Sequence, residues 1–327
     1  MKISNGVKKT EKLILWLKEI SKEDVPLVGG KNASLGEMFS KLSQKAYPRR
    51  RRGGLYRVGL SSHRPSRALL GNRGVNIPDG FTLTSDAFWY YLKFNGIDEK
   101  LKEIFEKFNS KSIESLKETG KKSRQLILKG KFPPDLEKEI IENYEKLSKG
   151  YEQKNVDVAV RSSATAEDLA TASFAGEHET YLNISGPKNL LPAIKKCIAS
   201  LFTDRAIAYR EEKGFEHLKI ALSAGIQKMV RSDLASSGVI FTLDTETGFP
   251  NVVLINSIFG IGEMIVKGKI TPDEFYVFKP TLKEGFKSII VKNLGRKTKK
   301  YIYAKGGGLK EVAVPQKDQL KFSLTDE

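Results

Sequence analysis

Val158-Ala159-Val160-Arg161-Ser162-Ser163-Ala164-Thr165-Ala166-Glu167-Asp168 runs on to Ser173-Phe174-Ala175-Gly176, and its texture changes partway. The first residues are β-branched or small, which predicts a short buried strand with an arginine at its exit. Hydroxyl residues and glycine follow, the composition of a mobile loop that can close over an anion. Thr180-Tyr181-Leu182-Asn183-Ile184 then predicts the returning strand. Arginine beside such a loop suits phosphate, because guanidinium grips oxygens bidentately while loop N–H groups and hydroxyls donate. By composition alone, an arginine opening a surface loop is more often simply solvated, so the rest of the chain has to decide.

Upstream stands Val28-Gly29-Gly30-Lys31-Asn32-Ala33-Ser34-Leu35-Gly36-Glu37-Met38. Leu35, Met38, Phe39 and Leu42 recur at helical spacing, and Ser34 with Glu37 predicts a capping box at the helix start. Two glycines and a lysine before a helix start form a second candidate anion site, since unpaired N–H groups and the helix dipole favour negative charge there. The spacing of a P-loop is missing. Ile77-Pro78-Asp79-Gly80 marks a turn, with a strand at 81–84 and a helix capped by Ser85. Helical patterns fill 98–128, 135–148 and 187–213, whereas strand candidates cluster from Ile220 onward. Helices first and strands later predict an α+β fold.

Composition narrows the function classes. No run of 18 apolar residues exists, so no membrane span is predicted. Cys197 is the only cysteine, which excludes an internal disulfide and fits a reducing, cytoplasmic setting. It lies in a helical pattern as a small buried thiol. The net charge of +17 raises nucleic acid as a partner, but eight arginines and no acidic residue fall between Ala46 and Arg73. Elsewhere Lys and Glu interleave along helices, the pattern of solvated faces. Nucleic acid is therefore not the expected partner. The arginine-rich 46–73 segment shows no helical or strand period and predicts a disordered insertion.

The strings at 158–184 and 29–38 closely resemble the phosphoenolpyruvate synthases (pyruvate, water dikinases) of the pyruvate phosphate dikinase family. Ser200-Leu201-Phe202-Thr203-Asp204-Arg205-Ala206, Gln227-Lys228-Met229-Val230 with the residues on to Gly238, and Pro272-Asp273-Glu274-Phe275-Tyr276-Val277 carry the same resemblance. It implies an ATP-grasp-like nucleotide-binding fold, truncated at its C-terminal end. By the resemblance, Lys31 neutralises ATP phosphates and Arg161 holds the transferring phosphoryl group, the two catalytic assignments. Gly176 and Thr180 cover the triphosphate, and Gln227 contacts the nucleotide on its adenine side, with Met229 and Val230 near the purine.

The implied cofactors are ATP and Mg2+, with the family's metal-bearing glutamate expected beyond the equivalent of Glu327, so no metal ligand is assigned here. Glu167, Asp168, Asp244, Glu246 and Glu263 are read as turn or loop acids. None of His63, His178 and His217 sits in a phosphohistidine motif. The implied partners are ATP and a separately encoded portion carrying the phosphohistidine and pyruvate sites. The domain reading is 1–45 as the start of the ATP-binding region, 46–73 as the insertion, 74–217 as its helix-rich part, and 218–327 as a strand-rich lobe. The alternatives are a rifampicin-phosphotransferase-like fragment and a non-catalytic nucleotide- or RNA-binding remnant.

Overall fold

The computed structural model describes residues 12–42, 75–165 and 179–326. The chain divides into two units, Met1–Lys228 and Met229–Glu327. The expected insertion at 46–73, the loop from Ala166 through Gly176, and His63 and His178 lie outside the described residues.

The first unit is organised around the stretch quoted above. β1 (Ile14–Trp16), β2 (Gly80–Leu83), β3 (Val158–Ala164), β4 (Thr180–Ile184) and β5 (Leu222–Lys228) form one sheet in the order β1-β2-β5-β3-β4. Every neighbouring pair is antiparallel. Directly opposed residues therefore share a face, and alternate residues along each strand face opposite ways. One face carries Val160, Ala164, Leu222, Ala224 and Ile226. It buries them with apolar residues of α2 (Ser85–Phe94), α3 (Ile97–Glu106), α4 (Ile113–Lys129), α5 (Pro134–Gly150) and α6 (Pro187–Ala199). On the other face Leu15 of β1 joins a small cluster of Leu17, Ile20, Val28 and Ala33, which seats α1 (Val25–Leu42). The helix α7 (Asp204–Glu212) follows α6 after one turn of 3-10 helix.

The second unit is a four-stranded antiparallel sheet of β6 (Ser236–Phe241), β7 (Val252–Phe259), β8 (Asp273–Phe278) and β9 (Ile289–Asn293), in chain order. A hairpin of β10 (Lys299–Tyr303) and β11 (Leu309–Ala313) accompanies it. The chain is thus a mixed helix-and-sheet protein with antiparallel sheets.

Several expectations about element order and capping are corrected. Strands and helices interleave through the first unit rather than following one another, because β1 pairs with β2 and β2 with the much later β5. β5 is the central strand of the first sheet, and the division into units falls after its last residue, Lys228. The capping box at Ser34 does not begin a helix, because α1 already runs through Ser34 and is interrupted at Gly29 (φ 72°). The buried side of α1 is Gly30, Asn32, Ala33 and Gly36, whereas Met38 and Leu42 of the expected apolar stripe are exposed. Small residues win there because the helix lies close to its neighbours: a Cβ on Gly36 would fall 2.5 Å from Ile20 Cβ. The cap of α2 is Thr84, whose hydroxyl accepts from Ala87 N–H at 3.3 Å, one residue before the expected Ser85.

Candidate functional site

Arg161 is the one exposed residue of β3, a strand otherwise buried from Val158 to Ala164. Its antiparallel partners are Thr180 on β4 and Gly225 on β5. Gln227 stands two residues further along β5, opposite Ala159 on β3 and Gly80 on β2. By strand alternation Arg161, Thr180, Gly225 and Gln227 occupy one face of the sheet, the face on which α1 packs.

The packing of α1 then places Lys31. Gly29 lies so close to β3 that a Cβ would meet Ser163 Oγ at 2.3 Å and Ser163 O at 2.5 Å. With its left-handed φ, this is a position only glycine fills without strain. The helix resumes at Gly30, and Asn32 N–H donates to Ser163 Oγ at 3.3 Å. Asn32 Nδ2 donates to Thr82 Oγ1 at 2.9 Å and to Ser223 Oγ at 3.0 Å. Asn32 Oδ1 lies against Gly225, where a Cβ would approach to 2.4 Å. Lys31, between these anchors, is therefore fixed at a helix start beside the strands that carry Arg161 and Gln227.

Gln227 is also oriented. Its Nε2 donates to Pro78 O at 3.1 Å, and the next residue, Lys228, donates its N–H to Asp79 O at 3.0 Å. The turn at 77–80 is thus stitched to the end of β5. Burial raises the Asp79 carboxyl above the usual carboxylate range, opposed by a hydrogen bond from Gly80 N–H.

Of the five expected binding residues, Lys31, Arg161, Thr180 and Gln227 come to one side of one sheet. Gly176 lies outside the described residues. Met229 and Val230 fall in the second unit. Positioning residues that sequence reasoning missed are Gly29, Asn32, Ser163, Ser223 and Gly225. The available signal was the small-residue run from 29 to 36 opposite the Ser223-x-Gly225 alternation. Among the described residues, no group of three or more His, Cys, Asp or Glu is arranged to hold a metal ion. Asp244 accepts from Thr247 Oγ1 within a turn, and Glu263, which was expected in a turn or loop, opens α8 (Glu263–Val266) and pairs with Lys267 at 2.6 Å. Cys197 is wholly buried in α6, and burial pushes its thiol up.

What the arrangement can do is hold an anion. Two cations stand on one sheet face beside a threonine and a close-approach glycine, and a carboxamide lies two residues along. Such preorganised donors stabilise phosphate charge without forming a covalent bond.

Residues 25–327 match the family described as pyruvate phosphate dikinase, AMP/ATP-binding domain. The phosphoenolpyruvate synthase of Aquifex aeolicus is 50% identical over 323 residues, covering 98% of this chain and 34% of the relative. That of Helicobacter pylori is 48% identical over 317 residues, covering 96% and 36%. That of Escherichia coli is 44% identical over 319 residues, covering 96% and 36%. The chain spans about a third of the length of these relatives. No helix among the described residues is long and apolar enough to cross a membrane.

Proposed function

We propose, for a chain that belongs to the pyruvate phosphate dikinase AMP/ATP-binding domain family, that the face bearing Arg161 binds the triphosphate of ATP. The observation that carries this is the register Thr180–Arg161–Gly225 across three strands, with Lys31 fixed alongside by Asn32. In this reading the fold is ATP-grasp-like. Lys31 neutralises the phosphates, Arg161 grips the phosphoryl group in transit, and Thr180 and Gly176 belong to the cover over it. Gln227, held by Pro78 O, offers its side-chain oxygen toward the nucleotide.

The relatives' name supports a phosphoenolpyruvate synthase as the whole activity: ATP and water with pyruvate give phosphoenolpyruvate, AMP and phosphate. The β-phosphoryl would pass first to a histidine and then to pyruvate, both held by the part of the relatives' length that this chain does not match. Mg2+ would arrive with ATP as its phosphate complex. The described residues offer no cluster for a resident ion. A single buried thiol and the metabolic substrates fit a cytoplasmic setting.

Titration calorimetry with ATP, with and without Mg2+, tests the reading. Saturable ATP binding by this chain is expected, and its absence under both conditions would refute the site. Arg161→Ala should lower phosphoryl transfer by about 100- to 1,000-fold in a complete synthase. Because Arg161 is the exposed residue of its strand, the variant should still fold, which its thermal unfolding curve checks. Wild-type transfer by the variant would sink the assignment.

A further inference from the structure

On the side of the first sheet away from α1, a cavity of about 170 Å³ opens between α2, α3 and the segment entering β5. Phe88, Leu92, Leu101, Phe202 and Ile220 wall it, and each is almost fully buried. Trp89 also lines it and meets Phe88 edge to face, with ring centroids 4.9 Å apart. His217 is the polar member of the wall, but both its nitrogens are engaged. Nδ1 accepts from Arg210 Nε at 3.2 Å, and Nε2 pairs with Glu211 Oε2 at 3.1 Å. The imidazole has no nitrogen left to recruit a polar guest.

The edge of the cavity is charged. Lys93 and Lys102 line it and are exposed, against Asp98 as the one carboxylate of the lining. Lys102 also pairs with Glu99 at 2.8 Å, a solvent-exposed pair that is easily exchanged for another anion. An apolar cavity of about 150 Å³ lined by Leu, Ile and Phe stays dry and accepts a benzene ring. A single aromatic ring therefore matches the interior, and a negative substituent matches the lysines at the edge.

We propose that this cavity binds a small aromatic carboxylate, its ring among Phe88, Leu101 and Phe202 and its carboxylate at Lys93 and Lys102. The proposal is independent of the nucleotide reading, because the cavity and Arg161 lie on opposite faces of the sheet. Occupancy of one leaves the other open.

The test uses the whole chain with 4-fluorobenzoate as probe, followed by fluorine NMR and by tryptophan fluorescence in saturating ATP. For a ligand of this size, saturable binding with a dissociation constant of about 1 mM or tighter is expected. Quenching should come from Trp89, so Trp89→Phe should abolish the fluorescence change while the NMR titration persists. The double variant Lys93→Glu, Lys102→Glu changes only exposed side chains. It should weaken 4-fluorobenzoate by about tenfold or more and favour 4-fluorobenzylamine instead. Fluorobenzene should be indifferent to the reversal. The proposal is overturned if no saturation occurs by about 10 mM, if the three probes bind alike, if charge reversal changes nothing, or if ATP displaces the probe.

Discussion

Among the described residues each unit buries one basic side chain completely, and the two are treated in opposite ways. In the second unit Lys297 is bonded to Asp273 and donates to Gly295 O at 3.0 Å. Asp273 also accepts from Gly295 N–H at 2.8 Å and from both Ser323 N–H and Ser323 Oγ at 2.7 Å. One neutralised pair thus ties the start of β8, the segment after β9 and the segment around Ser323. In the first unit Arg210 donates to Leu201 O at 2.6 Å and to His217, and its cation lies over the Phe202 ring at 5.7 Å. Its Nη2 finds no acceptor among the described residues, and burial lowers the guanidinium to about 10. A direct carboxylate makes a buried charge into a fastening, whereas hydrogen bonds to neutral groups leave it only partly compensated.

The largest expected effect follows from breaking the fastening. Asp273→Ala would strand Lys297 as an unpaired charge with no exposure, a loss that typically costs about 3–5 kcal/mol. Thermal unfolding should show the second unit melting far earlier than in the wild type. The double variant Asp273→Ala, Lys297→Met should recover a large part of that loss, since no charge is left behind. A double variant as unstable as the single one would show that the segment ties, not the charge, dominate.

The first unit seats α1 on its sheet through the neutral side chains of Asn32, Thr82, Ser163 and Ser223, which gives the middle prediction. Asn32→Ala would leave the Thr82 and Ser223 hydroxyls without the Nδ2 donor they share. The cost of such buried losses is about 1–3 kcal/mol, below that of the ionic case. Because Asn32 also sets the start of the helix that carries Lys31, ATP affinity should fall along with stability. Calorimetry on the folded variant separates the two: unchanged affinity would mean that Lys31 does not depend on this seat.

How much could be read beforehand varies with the kind of signal. β4 was legible because its run of β-branched and aromatic residues is short and bounded, whereas β3, expected to end at Arg161, continues through Ser162 and Ser163 to Ala164, small residues that carry no strand signal of their own. The start of α1 was misread because periodicity counts large apolar residues, and this helix packs on Gly30, Asn32, Ala33 and Gly36. Close approach leaves no such trace until the neighbouring Ile20, Ser163 and Gly225 are known. The pairing of β2 with β5 joins residues such as Thr82 and Gly225 that are far apart in the chain, which local propensity cannot foresee. β9, β10 and β11 went unanticipated because none of them holds a fully buried residue, so their sequences carry little alternation of apolar and polar side chains. Lys297, in a run of basic residues, reads as a solvated charge until Asp273 is placed beside it.

The smallest expected effect probes the Arg210 side of the comparison. His217 accepts from Arg210 Nε, so its Nδ1 must be unprotonated in this arrangement. Burial holds its pKa below 6.5, with the neighbouring Arg210 charge adding to the depression and Glu211 opposing it. The unfolded chain therefore gains this proton at a higher pH than the folded one. The folded state keeps its full advantage above pH 6.5 and loses it as pH falls from there through the folded-state pKa. His217→Gln retains an oxygen to accept from Arg210 and an amide to donate to Glu211, but it cannot titrate. Between pH 7 and 5 the wild-type melting temperature should fall by about 1–3 °C more than that of the variant. Any titration of His63 and His178 is common to both proteins and cancels in the difference. Parallel pH curves would mean that Arg210 tolerates an imidazolium beside it, and the contrast with Lys297 would then rest on Nη2 alone.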